Sequence, residues 1–243
     1  MPDINYKLIQ LEEVDSTNEY AKKLVLHEDI LDTYVVVANH QTHGKGRLGR
    51  KWESPRGMGL WISIILKPGK SHEEMVWTNF MVSVTVCEAL KELTRLLFEL
   101  KWPNDILING KKICGILTET VNKNKKVFLI IGIGININQQ DFPGPLDGSA
   151  TSLFIETQTV WDRWVILEKI MSGFDDNNIN LSPEIITRWK SLSGMLGHRI
   201  TVVQGDHTFE AMATDIAKDG ALVVERNGRA EKLYAGDVHI LVN

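Results

Sequence analysis

Residues 44–61 read GKGRLGRKWESPRGMGLW, from Gly44 to Trp61, and the way this stretch continues decides between folds. Gly44, Gly46 and Gly49 have the spacing of a dinucleotide-binding fingerprint. They follow a predicted strand, TYVVVANHQ, in which Tyr34 to Val37 are aromatic or β-branched. That fingerprint must open a helix whose N-terminus receives a pyrophosphate; Pro55, Gly57 and Gly59 forbid one here. Gly44 and Gly49 also begin like a P-loop, but Arg50 and Lys51 stand where a lysine and a hydroxyl residue are needed. An arginine cannot replace the hydroxyl that ligates magnesium. What remains is a cationic glycine loop that can approach a ligand closely, with Arg47 and Arg50 as planar forks for carboxylate or phosphate and Trp52 as a face for a purine. The plainer alternative is a solvated basic turn.

Working outward, GLWISIILKP is the next strand, stopped by Pro68-Gly69. Spaced apolar residues without proline predict one long core helix from about Glu73 to Leu97. Upstream, DSTNEYAKKLVLHEDI reads as a helix opened by a cap-like cluster, with Ser16 and Glu19 at capping-box spacing and Tyr20, Leu24 and Leu26 or His27 on one face. Downstream, LKWPNDILINGKKICGILTETV predicts a strand, a loop at Pro103 and a hairpin turning at Asn109-Gly110. KVFLIIGIGININ is a further buried strand. Helices return in VWDRWVILEKIMSGFDD and SPEIITRWKSL, separated by Asn177-Asn178 and Pro183. The tail then turns at Gly205-Asp206, Asp219-Gly220 and Asn227-Gly228, which predicts a small barrel of about five strands. The composition shift places a boundary near Ser193-Gly194.

The chain has 243 residues and a formal net charge of -4, so the basic run at 45–51 stands against a mildly acidic background. That favours a small phosphorylated ligand over nucleic acid. Cys87 and Cys114 lie in apolar segments without metal-ligand spacing, as buried thiols of a reducing compartment do. No apolar run reaches the ~18 residues of a membrane span, and MPDINYKLIQ lacks a signal-peptide pattern. The expectation is a cytoplasmic enzyme.

Three further stretches carry chemistry. KWPND, residues 101–105, groups a cation, a ring, a stiffening proline, an amide and a carboxylate; Lys101 suits phosphate, and Asn104 and Asp105 suit magnesium or a ribose. An ordinary loop with Asp105 accepting backbone N–H groups reads equally well. In GKKICGILTE, residues 110–119, Lys111 and Lys112 precede Gly115, which leaves room on a strand; an exposed hairpin pair of lysines is the alternative. In IGIGININ, residues 131–138, one strand face carries Gly132, Gly134, Asn136 and Asn138, open either to a flat ligand or to close packing.

Taken in order, DSTN, QTHGKGRLGRKW, KWPND, GKKICGILTE and GIGININ resemble the biotin protein ligase family, the biotin–[acetyl-CoA-carboxylase] ligases, over nearly the whole chain. The resemblance implies an α/β (α+β) catalytic domain over residues 1–193, with a mixed sheet and packed helices of the class II aminoacyl-tRNA synthetase and biotin ligase kind. An SH3-like β-barrel would follow at 194–243. It implies formation of biotinyl-5′-AMP from biotin and ATP with Mg2+, then transfer to a lysine of a biotin carboxyl-carrier domain of acetyl-CoA carboxylase or a related carboxylase.

By motif, Ser16, Thr17, Asn18 and Gln41 would line the biotin pocket, and Gly44, Lys45, Gly46 and Arg47 would close over biotin. Lys112 would neutralise the reacting carboxylate and phosphate, and Gly115 would offer backbone contacts to biotin. Arg47 and Lys112 would be the catalytic pair. Arg47, Arg50, Trp52, Lys101, Asn104, Asp105 and Asn136 would serve ATP, with no firm metal ligand. The usual family loop is GRGRRGR; Lys45 and Leu48 depart from it, and a lysine cannot repeat a bidentate contact. The chain starts just before EEVDSTN, so the expectation is a ligase without a winged-helix domain or operator binding. By analogy with such ligases, a homodimer is an open alternative to a monomer. A lipoate protein ligase and a non-catalytic nucleic-acid-binding module are the competing readings.

Overall fold

Branched and aromatic runs become strands and amphipathic runs become helices. The order is β1 (Tyr6–Leu11), α1 (Thr17–His27), β2 (Thr33–Ala38), β3 (Gly59–Leu66), α2 (His72–Thr94), β4 (Glu99–Lys101), β5 (Asp105–Ile108), β6 (Lys111–Lys123) and β7 (Lys126–Asn136). Then come α3 (Leu153–Thr157), α4 (Arg163–Gly173), α5 (Glu184–Ser191), β8 (Arg199–Gln204), β9 (His207–Ile216), β10 (Leu222–Arg226), β11 (Arg229–Leu233) and β12 (Asp237–Ile240). This computed structural model describes residues 6–66, 72–142, 144–174 and 184–241. Two compact units emerge, one from residues 1–71 and 108–179, the other from 72–107 and 180–243.

In the first unit the strands run β1-β2-β3-β7-β6. β1 and β2 are parallel, as their connection through α1 allows, and the remaining pairs are antiparallel, so the sheet is mixed. α1 covers it with Ala21 and Val25, both 0 % exposed, against Val36, Ile65, Val121, Phe128 and Ile130. Tyr20 and Leu24 pack at the margin of that cluster as expected, whereas Leu26 is exposed and His27 points outward. The buried stripe is centred on Ala21 and Val25, and Leu26 falls outside it.

The capping box does not form. Ser16 is the N-cap residue of α1, but its side chain makes no capping hydrogen bond. Glu19 is held instead by Lys22 and Lys45 at 2.8 and 2.6 Å, and a charge-assisted pair outcompetes a neutral N–H. β1 was not read from the sequence because exposed Lys7, Leu8 and Gln10 interrupt the period-2 apolar pattern on this edge strand. β7 ends at Asn136, so Asn138 lies beyond the strand; its amide exchanges hydrogen bonds with the backbone of Trp161, 2.9 and 3.0 Å.

In the second unit, β8 to β12 form an antiparallel sheet in the order β11-β10-β9-β8-β12, the SH3-like fold. Its turns fall at the three expected dipeptides, and Asn227 and Gly228 have positive φ, 52° and 71°, as a tight hairpin turn demands. The long helix ends at Thr94, three residues early, where Thr94 Oγ1 donates to Leu90 O at 2.8 Å and Arg95 turns to positive φ. The Pro68-Gly69 stop and the Asn177-Asn178 and Pro183 breaks lie outside the described residues.

Both cysteines are buried and free, and burial pushes the Cys87 thiol up to about 12, so it is inert as a nucleophile. No helix among the described residues is long and apolar enough to cross a membrane.

α2 and α5 meet through Trp189, 1 % exposed, which sets its ring edge-on to Phe80 at 5.5 Å. Trp189→Ala empties that volume, and urea unfolding should show a loss of about 3–5 kcal/mol.

Candidate active site

The middle of the first unit's sheet has no side chains on part of one face, and the reason is what lies on it. Ser63 of β3, Gly132 of β7 and Leu117 of β6 form one lateral row; Trp61, Gly134 and Gly115 form the next on the same face. A Cβ on Gly132 would come within 2.5 Å of Asn18 Oδ1. One on Gly134 would lie 2.5 Å from Trp52 Cε2, and one on Gly115 2.9 Å from Trp52 Cζ3 and 3.2 Å from Lys112 Nζ. The glycines are thus a floor for Asn18, Trp52 and Lys112. The alternation Ile-Gly-Ile-Gly keeps the other face apolar, with Ile131, Ile133 and Ile135 at most 2 % exposed.

Trp52 lies flat enough on this floor to leave its indole Nε1 buried without a hydrogen-bond acceptor. Its ring meets Trp61 edge-on at 6.5 Å, and Lys112 Nζ sits 5.2 Å from its centroid. Lys112 is fixed by its backbone: its N donates to Ser149 O and its O accepts from Thr151 N, both at 2.9 Å. Asn136 reaches the same segment. Its Nδ2 donates to Thr151 O at 3.0 Å and its Oδ1 accepts from Gln139 Nε2 at 3.0 Å. Both ends of that amide are engaged within the protein, and through Thr151 it holds the strand start that carries Lys112.

Beside the floor is a buried polar cluster. Gln41 Oε1 accepts from Thr17 N and Thr17 Oγ1 at 2.9 and 3.1 Å, and Gln41 Nε2 donates to Ser54 Oγ at 2.8 Å. Ser63 Oγ lies 2.8 Å from Thr17 Oγ1 and donates to Asn18 Oδ1 at 2.6 Å. Ser16, Thr17, Asn18, Gln41, Ser54 and Ser63 are all at most 9 % exposed. Such a cluster, satisfied in low dielectric, is geometrically rigid. Ser54 and Ser63 were not singled out in the sequence, although Ser63 is the one polar side chain in GLWISIIL; polarity inside a buried strand was the available signal.

The glycine loop closes this region as a small hairpin. Gly46 N donates to Arg50 O at 2.7 Å and Trp52 N to Gly44 O at 2.9 Å, with a tight turn over Arg47–Gly49. No helix follows, as the sequence required. Gly44 is needed because a Cβ there would lie 2.8 Å from Ser54 Oγ and 3.1 Å from Gln41 Nε2. Arg47 is half-buried and Arg50 exposed. Leu48, 73 % exposed, takes a positive φ of 55°.

Lys45 Nζ meets Glu19 Oε1 at 2.6 Å; Glu19 also holds Lys22, which reaches Glu119 Oε1 at 2.6 Å, while Glu119 Oε2 accepts from Asn18 Nδ2 at 2.8 Å. An alternating chain of charges therefore runs from the loop to the floor. The hydrogen bonds from Lys22 and Lys45 pull the Glu19 carboxyl down to about 2. Burial lowers the Lys22 ammonium, but Glu119 and Glu19 outweigh it and leave its pKa raised.

Thr17, Asn18, Gln41, Gly44, Trp52, Lys112 and Gly115 are thus linked by contacts, with Lys45, Gly46 and Arg47 in the loop joined to them and Ser16 at the N-cap position of the helix that carries Thr17 and Asn18. Lys101, Asn104 and Asp105 belong to the second unit. There β4 sets Lys101 opposite Asp105, with Lys101 Nζ 3.9 Å from Asp105 Oδ2.

Residues 11–136 match the biotin/lipoate A/B protein ligase family, and residues 195–241 match the biotin protein ligase C-terminal domain. The chain belongs to the biotin/lipoate A/B protein ligase family. Among the biotin ligases of that family, the bifunctional ligase/repressor BirA of Bacillus subtilis is 35 % identical over 240 residues, 96 % of this chain and 74 % of that protein. A biotin–[acetyl-CoA-carboxylase] ligase of Mycobacterium tuberculosis is 29 % identical over 216 residues, covering 86 % of this chain and 79 % of that one. The solved biotin protein ligase of Aquifex aeolicus in complex with biotin and ATP superposes with a TM-score of 0.81 at 30 % identity, over 98 % of this chain and 99 % of its own. The ligase fold and enzyme class inferred from the motifs are borne out.

Glu19, with its pKa depressed from 4.5 to about 2, contributes stability that is present above about pH 4.5 and is lost as the pH falls through 2. Glu19→Gln should therefore lower stability by about 1–2 kcal/mol at pH 7, after allowance for solvent screening. Urea unfolding across pH should show that difference shrinking below pH 4.5.

Proposed function

We propose that this ligase activates biotin as biotinyl-5′-AMP and transfers it to a lysine of a biotin carboxyl-carrier domain. The observation that carries the reading is Trp52 and Lys112 seated together on the Gly115/Gly134 floor, beside the buried Thr17, Asn18 and Gln41 cluster. A cyclic urea needs acceptors for two N–H groups and a donor for its carbonyl. Ser16, Thr17, Asn18 and Gln41 offer that mixture in a dry setting, and the Trp52 ring beside them is a face for adenine.

In the first step a biotin carboxylate oxygen attacks the α-phosphorus of ATP, the bond to the β-phosphate breaks and pyrophosphate leaves. Two anions must approach, and Arg47 and Lys112 supply the compensating positive charge. In the second step the carrier lysine amine attacks the acyl carbon, AMP departs on the cleaved anhydride oxygen, and the amine loses its proton. Lys45, Gly46 and Arg47 would close over the adenylate and exclude water between the steps.

Arg47, Arg50, Trp52, Lys101, Asn104, Asp105 and Asn136 are assigned to ATP, and Asn136 also bonds Thr151 O, next to the N–H that Lys112 O accepts. Among the described residues no three His, Cys, Asp or Glu side chains gather as a metal cage. A magnesium ion carried on ATP phosphates needs only one or two protein oxygens, which Asn104 and Asp105 have; when bound it would screen phosphate charge.

We place the division between catalytic and C-terminal domains near Ser193-Gly194, which the C-terminal match from residue 195 supports. That match also favours biotin over lipoate. The proposal covers ligation alone, assigns no operator binding to these residues, and puts the enzyme in the cytoplasm, in keeping with two free thiols.

Labelled biotin, ATP and magnesium with an acetyl-CoA carboxylase carrier domain should yield labelled carrier, and titration should show biotin binding more tightly than lipoate. Tighter lipoate binding without carrier labelling would overturn the reading. Arg47→Ala and Lys112→Ala should each slow pyrophosphate release by about 100-fold or more without unfolding the chain. Pyrophosphate release like that of the unmodified enzyme in either variant would mean the site is wrongly placed.

A further inference from the structure

The second unit joins two segments far apart in sequence, and one side chain is central to that join. Trp102, 3 % exposed, sits inside the Lys101–Asp105 loop. Its backbone N donates to Met195 Sδ at 3.2 Å and its indole Nε1 donates to Gly220 O at 3.1 Å. Just before it, Leu100 N donates to Leu192 O at 2.8 Å. Both ends of the loop's first half are therefore tied to the C-terminal segment.

The Gly220 carbonyl is itself held. Gly220 has φ 82°, and a Cβ there would lie 2.5 Å from Val76 Cγ1. Trp77 Nε1 donates to Lys218 O at 3.1 Å, and Asp219 accepts from Ala221 N at 3.3 Å, Lys232 Nζ at 2.9 Å and Tyr234 OH at 3.0 Å. The turn between β9 and β10 is thus a fixed post, and the indole N–H is its connection to the loop.

We infer that Trp102 is a positioning residue for the nucleotide step, through which the Asp219–Gly220 turn of the C-terminal sheet sets the placement of Lys101, Asn104 and Asp105. The inference rests on the assignment of those three residues to ATP. Trp102 acts through the loop it anchors and need not touch substrate. A side chain that only filled the core would, on truncation, lower the active fraction and affect both substrates alike; a positioning role divides them.

The test is Trp102→Phe in the full chain, read by pyrophosphate release. Phenylalanine keeps most of the packing and removes the Nε1 donor, leaving the Gly220 carbonyl without it. The expected result is a KM for ATP raised about 10-fold, with the biotin dissociation constant within about twofold of the unmodified enzyme. Asp219→Ala, which loosens the turn from its exposed side, should raise the ATP KM about threefold with the same selectivity. An unchanged ATP KM in both variants, or equal changes for ATP and biotin, overturns the inference. If Trp102→Phe does not fold, Asp219→Ala decides alone by the same criterion. Absence of pyrophosphate release by the unmodified enzyme with biotin and ATP would instead sink the ligase reading, and this inference with it.

Discussion

A methyl group at position 134 would stand 2.5 Å from the Trp52 indole, and the rest of the site is arranged around that prohibition. Because Gly134 and Gly115 face each other across β6 and β7, an aromatic ring and an ammonium can lie directly on the backbone. Glycine in a strand interior weakens the strand. Here isoleucines on the opposite face offset that loss, and the gain is a flat surface no side-chain-bearing strand can offer. Gly132 extends it, so that Asn18 at the start of α1 reaches Ser63 and Glu119. The same α1 that packs Ala21 and Val25 on apolar rows thereby delivers polar groups where those rows end.

Electrostatics links the loop to this floor. Lys45, where the family loop has arginine, makes a point contact with Glu19 and needs no bidentate geometry for it. The chain Lys45, Glu19, Lys22, Glu119 alternates in sign and ends on the neutral amide of Asn18, which donates to Glu119. The capping box expected at Ser16 gives way to this network because Glu19 has one carboxylate and two ammonium partners compete for it.

The domain organisation shows how composition and contact can divide a chain differently. Composition changes near Ser193, where a β-rich tail begins and the C-terminal family match follows. Contacts group that tail with α2 and the β4–β5 hairpin, because Leu100, Trp102 and Trp77 send their donors to Leu192, Met195, Lys218 and Gly220. Apolar burial joined by directed hydrogen bonds makes one body of segments that sequence order separates.

Periodicity, turn dipeptides and motif order determined a great deal by themselves: the central strands, the long helix, the five-stranded tail, the absence of a helix after Gly49, and the family. These are local or short-range properties, set by branching at Cβ, by glycine and proline backbone preferences, and by residue types in order. Tertiary structure alone decided what the glycines face, which partners Glu19 takes, that Asn136 bonds Thr151 beside Lys112, and that Ser54 and Ser63 complete the polar cluster. Those depend on the register of β3, β7 and β6 and on where α1 lies across them. The contact of Asn18 with Glu119 joins residues 101 positions apart, a distance over which no local propensity acts.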